Sequence, residues 1–157
     1  MMNGSKFLIS ILVLLCQHLC FSQKEKGFAN REEIKAECQQ IMDDFSQNNV
    51  VDGLIKTGMM WVFIRDEYKY IQQRAMDHFQ TFEVEYGVSI GNKLVKEDVI
   101  EDLMYMITYV LKYERSGVLI KFTFYKGKND KWYLNDFKWD NDILSLFKES
   151  RKEFTEY

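Results

Sequence analysis

Proline is absent from the 157-residue chain, and cysteine and histidine are scarce, at three and two residues. Without proline, a proline-rich linker or recognition segment is excluded. Three cysteines are too few for a disulfide scaffold. No phosphate-cradling glycine-rich loop occurs. Charge of neither sign dominates: 21 Lys and Arg face 24 Asp and Glu, a net charge of −3. Sequence-independent binding to nucleic acid or an anionic membrane needs clustered basic residues, so the balance speaks against both. What the chain does hold is core material, with twelve Phe, nine Tyr and three Trp, 46% hydrophobic and 29% charged residues. Those proportions fit one globular domain and not a disordered chain.

Met1 to Ser22 reads as a secretory signal peptide. Lys6 supplies the positive start and Phe7 to Leu15 the apolar stretch, nine residues that are too short to span a bilayer. Cleavage is expected after Ser22. A lipid anchor at Cys16 or Cys20 is the competing reading, although the residues before each lack the small side chains such processing prefers. Removal of the segment leaves 135 residues with Cys38 and His78 as the only Cys and His, and a net charge of −4. An intramolecular disulfide and a typical structural zinc site are then excluded, so no metal and no cofactor is expected. No further apolar run is long enough for a membrane span in the mature chain. The expected location is secreted or periplasmic.

Residues 23–28 read as a charged tether, 29–149 as the domain and 150–157 as a polar tail. Asn30 offers an N-cap, with Ile34, Cys38, Ile41, Met42 and Phe45 on one face of a first helix ending near Gln47. Asn48-Asn49 marks a turn, and Val50 to Thr57 a second helix that Gly58 is expected to stop. The apolar run Met59 to Ile64 is equally compatible with a strand and a connection. Asp66 opens the clearest helix, with Tyr68, Ile71, Ala75, Phe79, Phe82 and Tyr86 inward and Gly87 as the stop. Beyond Gly87 the apolar period falls to two. Strands are expected at Lys93–Ile100, Leu103–Glu114, Val118–Tyr125 and Trp132–Trp139, joined by hairpin turns of Gly, Asn, Asp and Ser. Asp140-Asn141-Asp142 then caps a short C-terminal helix. The fold class is α+β: three N-terminal helices packed on a curved antiparallel sheet of about four strands.

The stretch Tyr86-Gly87, Leu94-Val95, Tyr109 to Tyr113, Phe122 to Lys126, Trp132 to Phe137 and Trp139 to Ile143 resembles uncharacterised secreted bacterial proteins of the nuclear transport factor 2-like, cone-shaped (cystatin-like) superfamily. The resemblance implies a sheet wrapped around helices, with a pocket between them that members use for catalysis, for ligands or for neither.

Most chemical motifs fail on context. Gly87-Val88-Ser89-Ile90-Gly91 matches a hydrolase nucleophile elbow, but helix precedes strand and the only mature histidine, His78, lies before the serine. Cys38 sits in an Ile/Phe stripe and reads as packing. Asp140-Asn141-Asp142 lacks the glycine and distal Glu of a calcium loop. In the fourth strand, Trp132 and Leu134 are out of register with Phe137 and Trp139, so a bulge at Asn135-Asp136 is expected. That bulge makes Asp136 the candidate catalytic carboxylate, with Tyr105 or Tyr109 as hydroxyl partners, for proton transfer or hydrolysis. The other reading is non-catalytic: an aromatic cone lined by Tyr86, Tyr109, Phe122 and Trp132 for a small apolar ligand or peptide. The second strand is apolar on both faces, Tyr105 to Tyr113 on one and Met104, Met106, Thr108 and Val110 on the other. A sheet-to-sheet homodimer or a secreted protein partner is the expected reason.

Overall fold

The computed structural model describes residues 27–61 and 65–147, with the side chains of 65–67 left aside. The signal segment, most of the tether, residues 62–64 of the apolar run, the side chain of Asp66 and the polar tail lie outside the described residues. The order is α1 (Arg31–Ser46), α2 (Val50–Met60), α3 (Arg65–Tyr86), β1 (Ser89–Ile100), β2 (Met104–Tyr113), β3 (Gly117–Lys126) and β4 (Trp132–Asp140). A helical turn at 145–147 follows. The four strands form an open antiparallel meander in the order β1-β2-β3-β4, with the helices against one face, so the α+β layout is observed as expected.

Local chemistry sets the boundaries. Asn30 Oδ1 accepts from the Glu33 amide at 2.9 Å, and Glu33 reaches back to the Ala29 amide at 2.9 Å, a reciprocal cap that starts α1. Its five apolar positions are all buried. Gly87 ends α3 with φ +85°, and Asn48, Asn129 and Asp130 take positive φ in the turns assigned to them. Two expectations are corrected. Gly58 does not stop α2, which runs on to Met60; the Tyr68 ring packs on it, and a Cβ there would come 2.3 Å from that ring. Phe28 is no tether residue. It is buried and exchanges two 2.9 Å backbone bonds with Trp132, which shields the β4 edge together with a bridge from Trp61 to Leu134.

β1 starts four residues earlier than its sequence pattern suggests and carries irregularities at Ser89/Gly91 and Leu94/Lys96. The expected bulge in β4 is present: Thr123 pairs with Asp136 and Phe124 with Leu134, which leaves Asn135 as the extra residue. Trp132, Leu134 and Phe137 therefore all point inward and are buried. Aromatic rings join the layers. Phe45 of α1 lies 4.7 Å from Phe79 of α3 and 6.3 Å from Phe137 of β4, and Phe122 lies 5.2 Å from Phe137.

Candidate functional site

Three regions bear on function: the interior between helices and sheet, a polar seam along β1, and the outer face of the sheet.

The interior is where the sequence placed a ligand cone. Tyr105, Tyr109, Phe122 and Trp132 are at most 3% exposed and belong to the main core cluster. Tyr109 and Phe122 meet edge-to-face at 6.4 Å, and Trp132 meets Tyr105 at 6.4 Å. Tyr86 is half-buried and stacks on Phe82 at 5.9 Å. The four proposed ligand-lining residues are thus engaged with other rings as packing. A groove of about 220 Å³ lies instead among the helices, lined by Asn48, Val50, Val51, Met76, Phe79 and Glu83 with Gln80. Of these, Phe79 is a core residue.

The Asp136 candidate is corrected by its own bulge. Keeping both Leu134 and Phe137 inward sends Asn135 and Asp136 out together. Asp136 is 35% exposed and pairs with Lys138 Nζ at 2.8 Å on the face away from the core. Tyr105 and Tyr109 project from the opposite face of the sheet.

The hydroxyl of Tyr105 has a different acid, one that sequence reasoning missed. It donates to Glu97 Oε2 at 2.6 Å, and Lys35 Nζ of α1 donates to Oε1 at 2.7 Å. The Lys35 ammonium, then the Tyr105 hydroxyl, hold the Glu97 carboxyl below its ordinary range. Burial first, then the Glu97 charge, push the Tyr105 phenol up. Acid and phenol are thus moved apart and away from neutrality, the reverse of what a proton-transfer pair at neutral pH needs. One to three turns further along α1, Asn92 donates to Asp43 Oδ1 (3.0 Å) and Ser46 Oγ (3.2 Å) and accepts from Gln39 (3.0 Å). These contacts clip α1 to β1. The irregularity at Leu94/Lys96 puts Glu97 and Asn92 on the core side together, a signal that a regular reading of β1 does not give.

The outer face is ordered in rows across the strands. Register places Lys93, Val110, Leu119 and Asp140 in the first row, Lys96, Thr108, Lys121 and Lys138 in the second, Asp98, Met106, Thr123 and Asp136 in the third, and Ile100, Met104, Tyr125 with neighbouring Tyr133 in the fourth. Ion pairs join the middle rows, Lys96 to Asp98 at 3.0 Å and Lys138 to Asp136 at 2.8 Å. β2 is apolar on this side, as its sequence says, but its neighbours supply charge. Leu119 is fully buried without belonging to the main core, and at the same end of the face Ile143 Cδ1 lies 3.5 Å from where a Cβ on Gly117 would stand.

Among the described residues no group of three or more His, Cys, Asp or Glu is gathered to hold a metal, and no helix is long and apolar enough to cross a membrane. No family model, curated protein or solved structure matches the chain. Fold and surface together define an α+β domain with a ring-packed interior and one banded, open sheet face.

Proposed function

We propose that the protein is a secreted or periplasmic, non-catalytic interaction module of the nuclear transport factor 2-like type, which associates with a second copy through the outer face of its sheet. The observation that supports this most directly is the banding of that face. A two-fold axis lying along the rows, between the second and third, sets the Lys96 and Lys138 row over the Asp98 and Asp136 row of the second copy, and the first row, apolar at Val110 and Leu119 and charged at its Lys93 and Asp140 ends, over the apolar fourth. A self-complementary patch of this kind is what an isologous interface requires. The other in-plane axis sets lysines on lysines. With strands about 4.8 Å apart and same-face residues about 6.8 Å apart, the patch is on the order of 500 Å² per copy. That is near the low end for a specific dimer, so the association is weak and concentration-dependent.

An apolar ligand in the cone and an Asp136-based enzyme are not favoured, since the ring residues pack on one another and Asp136 points away from them. Sedimentation of residues 23–157 over a concentration series tests the proposal. The expected outcome is a monomer–dimer equilibrium, weakened by salt. A monomer at all concentrations up to the millimolar range overturns it. Mass determination of the exported protein tests the location, with Gln23 expected as the first residue.

A further inference from the structure

The groove of about 220 Å³ between α2 and α3 is lined by a single charged side chain, Glu83, and among the described residues that charge has no partner. Met76, Phe79, Gln80 and Glu83 recur at helical spacing, so one face of α3, about 10 Å long, forms one side of the groove. Asn48, in the turn after α1 with φ +63°, and Val50 and Val51 of α2 form the other side. The apolar part is held in place. Phe79 is 4% exposed and lies 4.7 Å from Phe45, while Val50 and Met76 pack on the core cluster.

The polar part differs from its surroundings in lacking internal bonds. Earlier on the same helix Gln73 Nε2 donates to Asp77 Oδ1 at 3.0 Å, and on α1 Gln39 donates to Asp43 at 2.8 Å. Among the described residues the side chains of Asn48, Gln80 and Glu83 make no such bond, and no Lys or Arg lines the groove. Arg115 reaches this end of α3 but donates to the Val84 carbonyl at 3.2 Å. The Glu83 charge is felt inward, because after burial it is what pushes the Tyr113 phenol up. An anion would not suit this groove. The start of α2 favours negative charge, but Asp52 in its first turn and Glu83 already supply it. The complementary group is a cation. A bare metal ion fits poorly, since one carboxylate and two amides are few hard ligands and the rest of the lining is apolar. Pockets for drug-sized molecules run about 300–1,000 Å³, so the occupant is smaller than those.

We propose that the groove between α2 and α3 binds a small primary ammonium with an apolar body, an alkylamine or arylalkylamine. The ammonium has three donors, and the Glu83 carboxylate and the amide oxygens of Gln80 and Asn48 accept them. The body covers Val50, Val51, Met76 and Phe79 and removes their apolar surface from water. Because Glu83 is exposed, its ion pair is weak alone, and head and body act together. The site belongs to the helix layer, away from the outer face of the sheet, and does not rest on the dimer proposed above.

Phenethylammonium is the probe, titrated into the chain from Gln23, with 2-phenylethanol as its uncharged counterpart of nearly the same shape. The methyl resonances of Val51 and Met76 are expected to shift and saturate with a Kd of about 1 mM, while those of Ile34 in the core and Leu119 on the outer face stay in place. The alcohol is expected to bind at least about threefold more weakly. Glu83→Gln keeps the size of an exposed side chain, and the Ile34 methyl reports that the fold is intact. This variant is expected to raise the Kd of the ammonium at least about threefold and to leave that of the alcohol unchanged. Val51 and Met76 signals that stay in place up to about ten times the expected Kd overturn the site, as do shifts of equal size at Ile34 and Leu119. Equal affinity for amine and alcohol, or a smaller effect of Glu83→Gln on the ammonium, overturns the recognition of charge.

Discussion

Replacement of Phe122 by alanine measures whether the interior is solid. Phe122 is fully buried at the centre of β3, edge-to-face with Tyr109 at 6.4 Å and tilted against Phe137 at 5.2 Å. Phe137 is in turn held by Phe45 of α1, so the walls around the missing ring are tied to a second layer and have little freedom to collapse. Truncation of a packed Phe costs about 3–5 kcal/mol, the lost transfer energy plus the residual cavity. The two ring contacts place Phe122 toward the upper part of that range. At about 3–5 °C per kcal/mol for a domain of this size, melting is expected to fall by roughly 10–20 °C. Urea unfolding of the mature chain followed by tyrosine and tryptophan fluorescence gives the number directly, and Phe122→Leu should retain most of the stability, losing under about 1.5 kcal/mol. A loss below about 1 kcal/mol for alanine, with an unchanged dependence on urea, would mean that Phe122 borders open space and that the interior is a ligand site after all.

Gly53→Ala is expected to destabilise by about 1–2 kcal/mol in the same assay. The gain of about 1 kcal/mol in helix propensity is outweighed because the new Cβ lies 2.5 Å from the Phe45 ring, which Phe79 prevents from moving; a stabilised variant would refute that packing. Glu97, with its carboxyl depressed by Lys35 and Tyr105, contributes stability that is present above the ordinary Glu value of about 4.3 and is lost as pH falls through the lower folded value. Because its side chain is 37% exposed, Glu97→Gln should cost less than about 1 kcal/mol at pH 7 while flattening the acid limb of stability against pH; an unchanged limb counts against the seam. Burial pushes the phenol of Tyr113 up to about 12, and those of Tyr105 and Tyr109 upward as well. Above the ordinary tyrosine value near 10, the folded state keeps protons that the unfolded state releases, so stability falls as pH rises. Absorbance at 295 nm should show a class of tyrosines that ionises only near pH 12 or on unfolding, and complete ionisation of a folded chain by pH 11 would contradict their burial.

The fold was legible wherever a pattern was local. The 3.6 period of α1, the Gly87 stop, the four strands and the β4 bulge follow from side-chain spacing and turn chemistry alone. Gly58 was misread because a helix-stop glycine and a glycine that admits a neighbouring ring look alike in sequence; only Tyr68, ten residues away, separates them. Phe28 was assigned to the tether because its backbone partner, Trp132, lies far along the chain. The candidate site was less legible. Parity exposed the β4 bulge, but which of the residues around it turned inward depended on Leu134 and Phe137 both belonging to the core. Glu97 stayed hidden because the irregularity at Leu94/Lys96, the feature that turns it toward α1, has no apolar marker comparable to the tryptophans of β4. The banding of the outer face is a property of register between four strands, and no single strand displays it.

Self-association through that banded face is tested most directly by mixing two charge-reversed chains. One carries Lys96→Glu with Lys138→Glu, the other Asp98→Lys with Asp136→Lys. Alone, each sets like charge on like charge across the two-fold axis and should sediment as a monomer. Together they restore opposite charges and should form a one-to-one heterodimer at concentrations where neither self-associates. Mixtures that stay monomeric while the unaltered chain dimerises would contradict the arrangement, as would single variants that dimerise as well as the unaltered chain does.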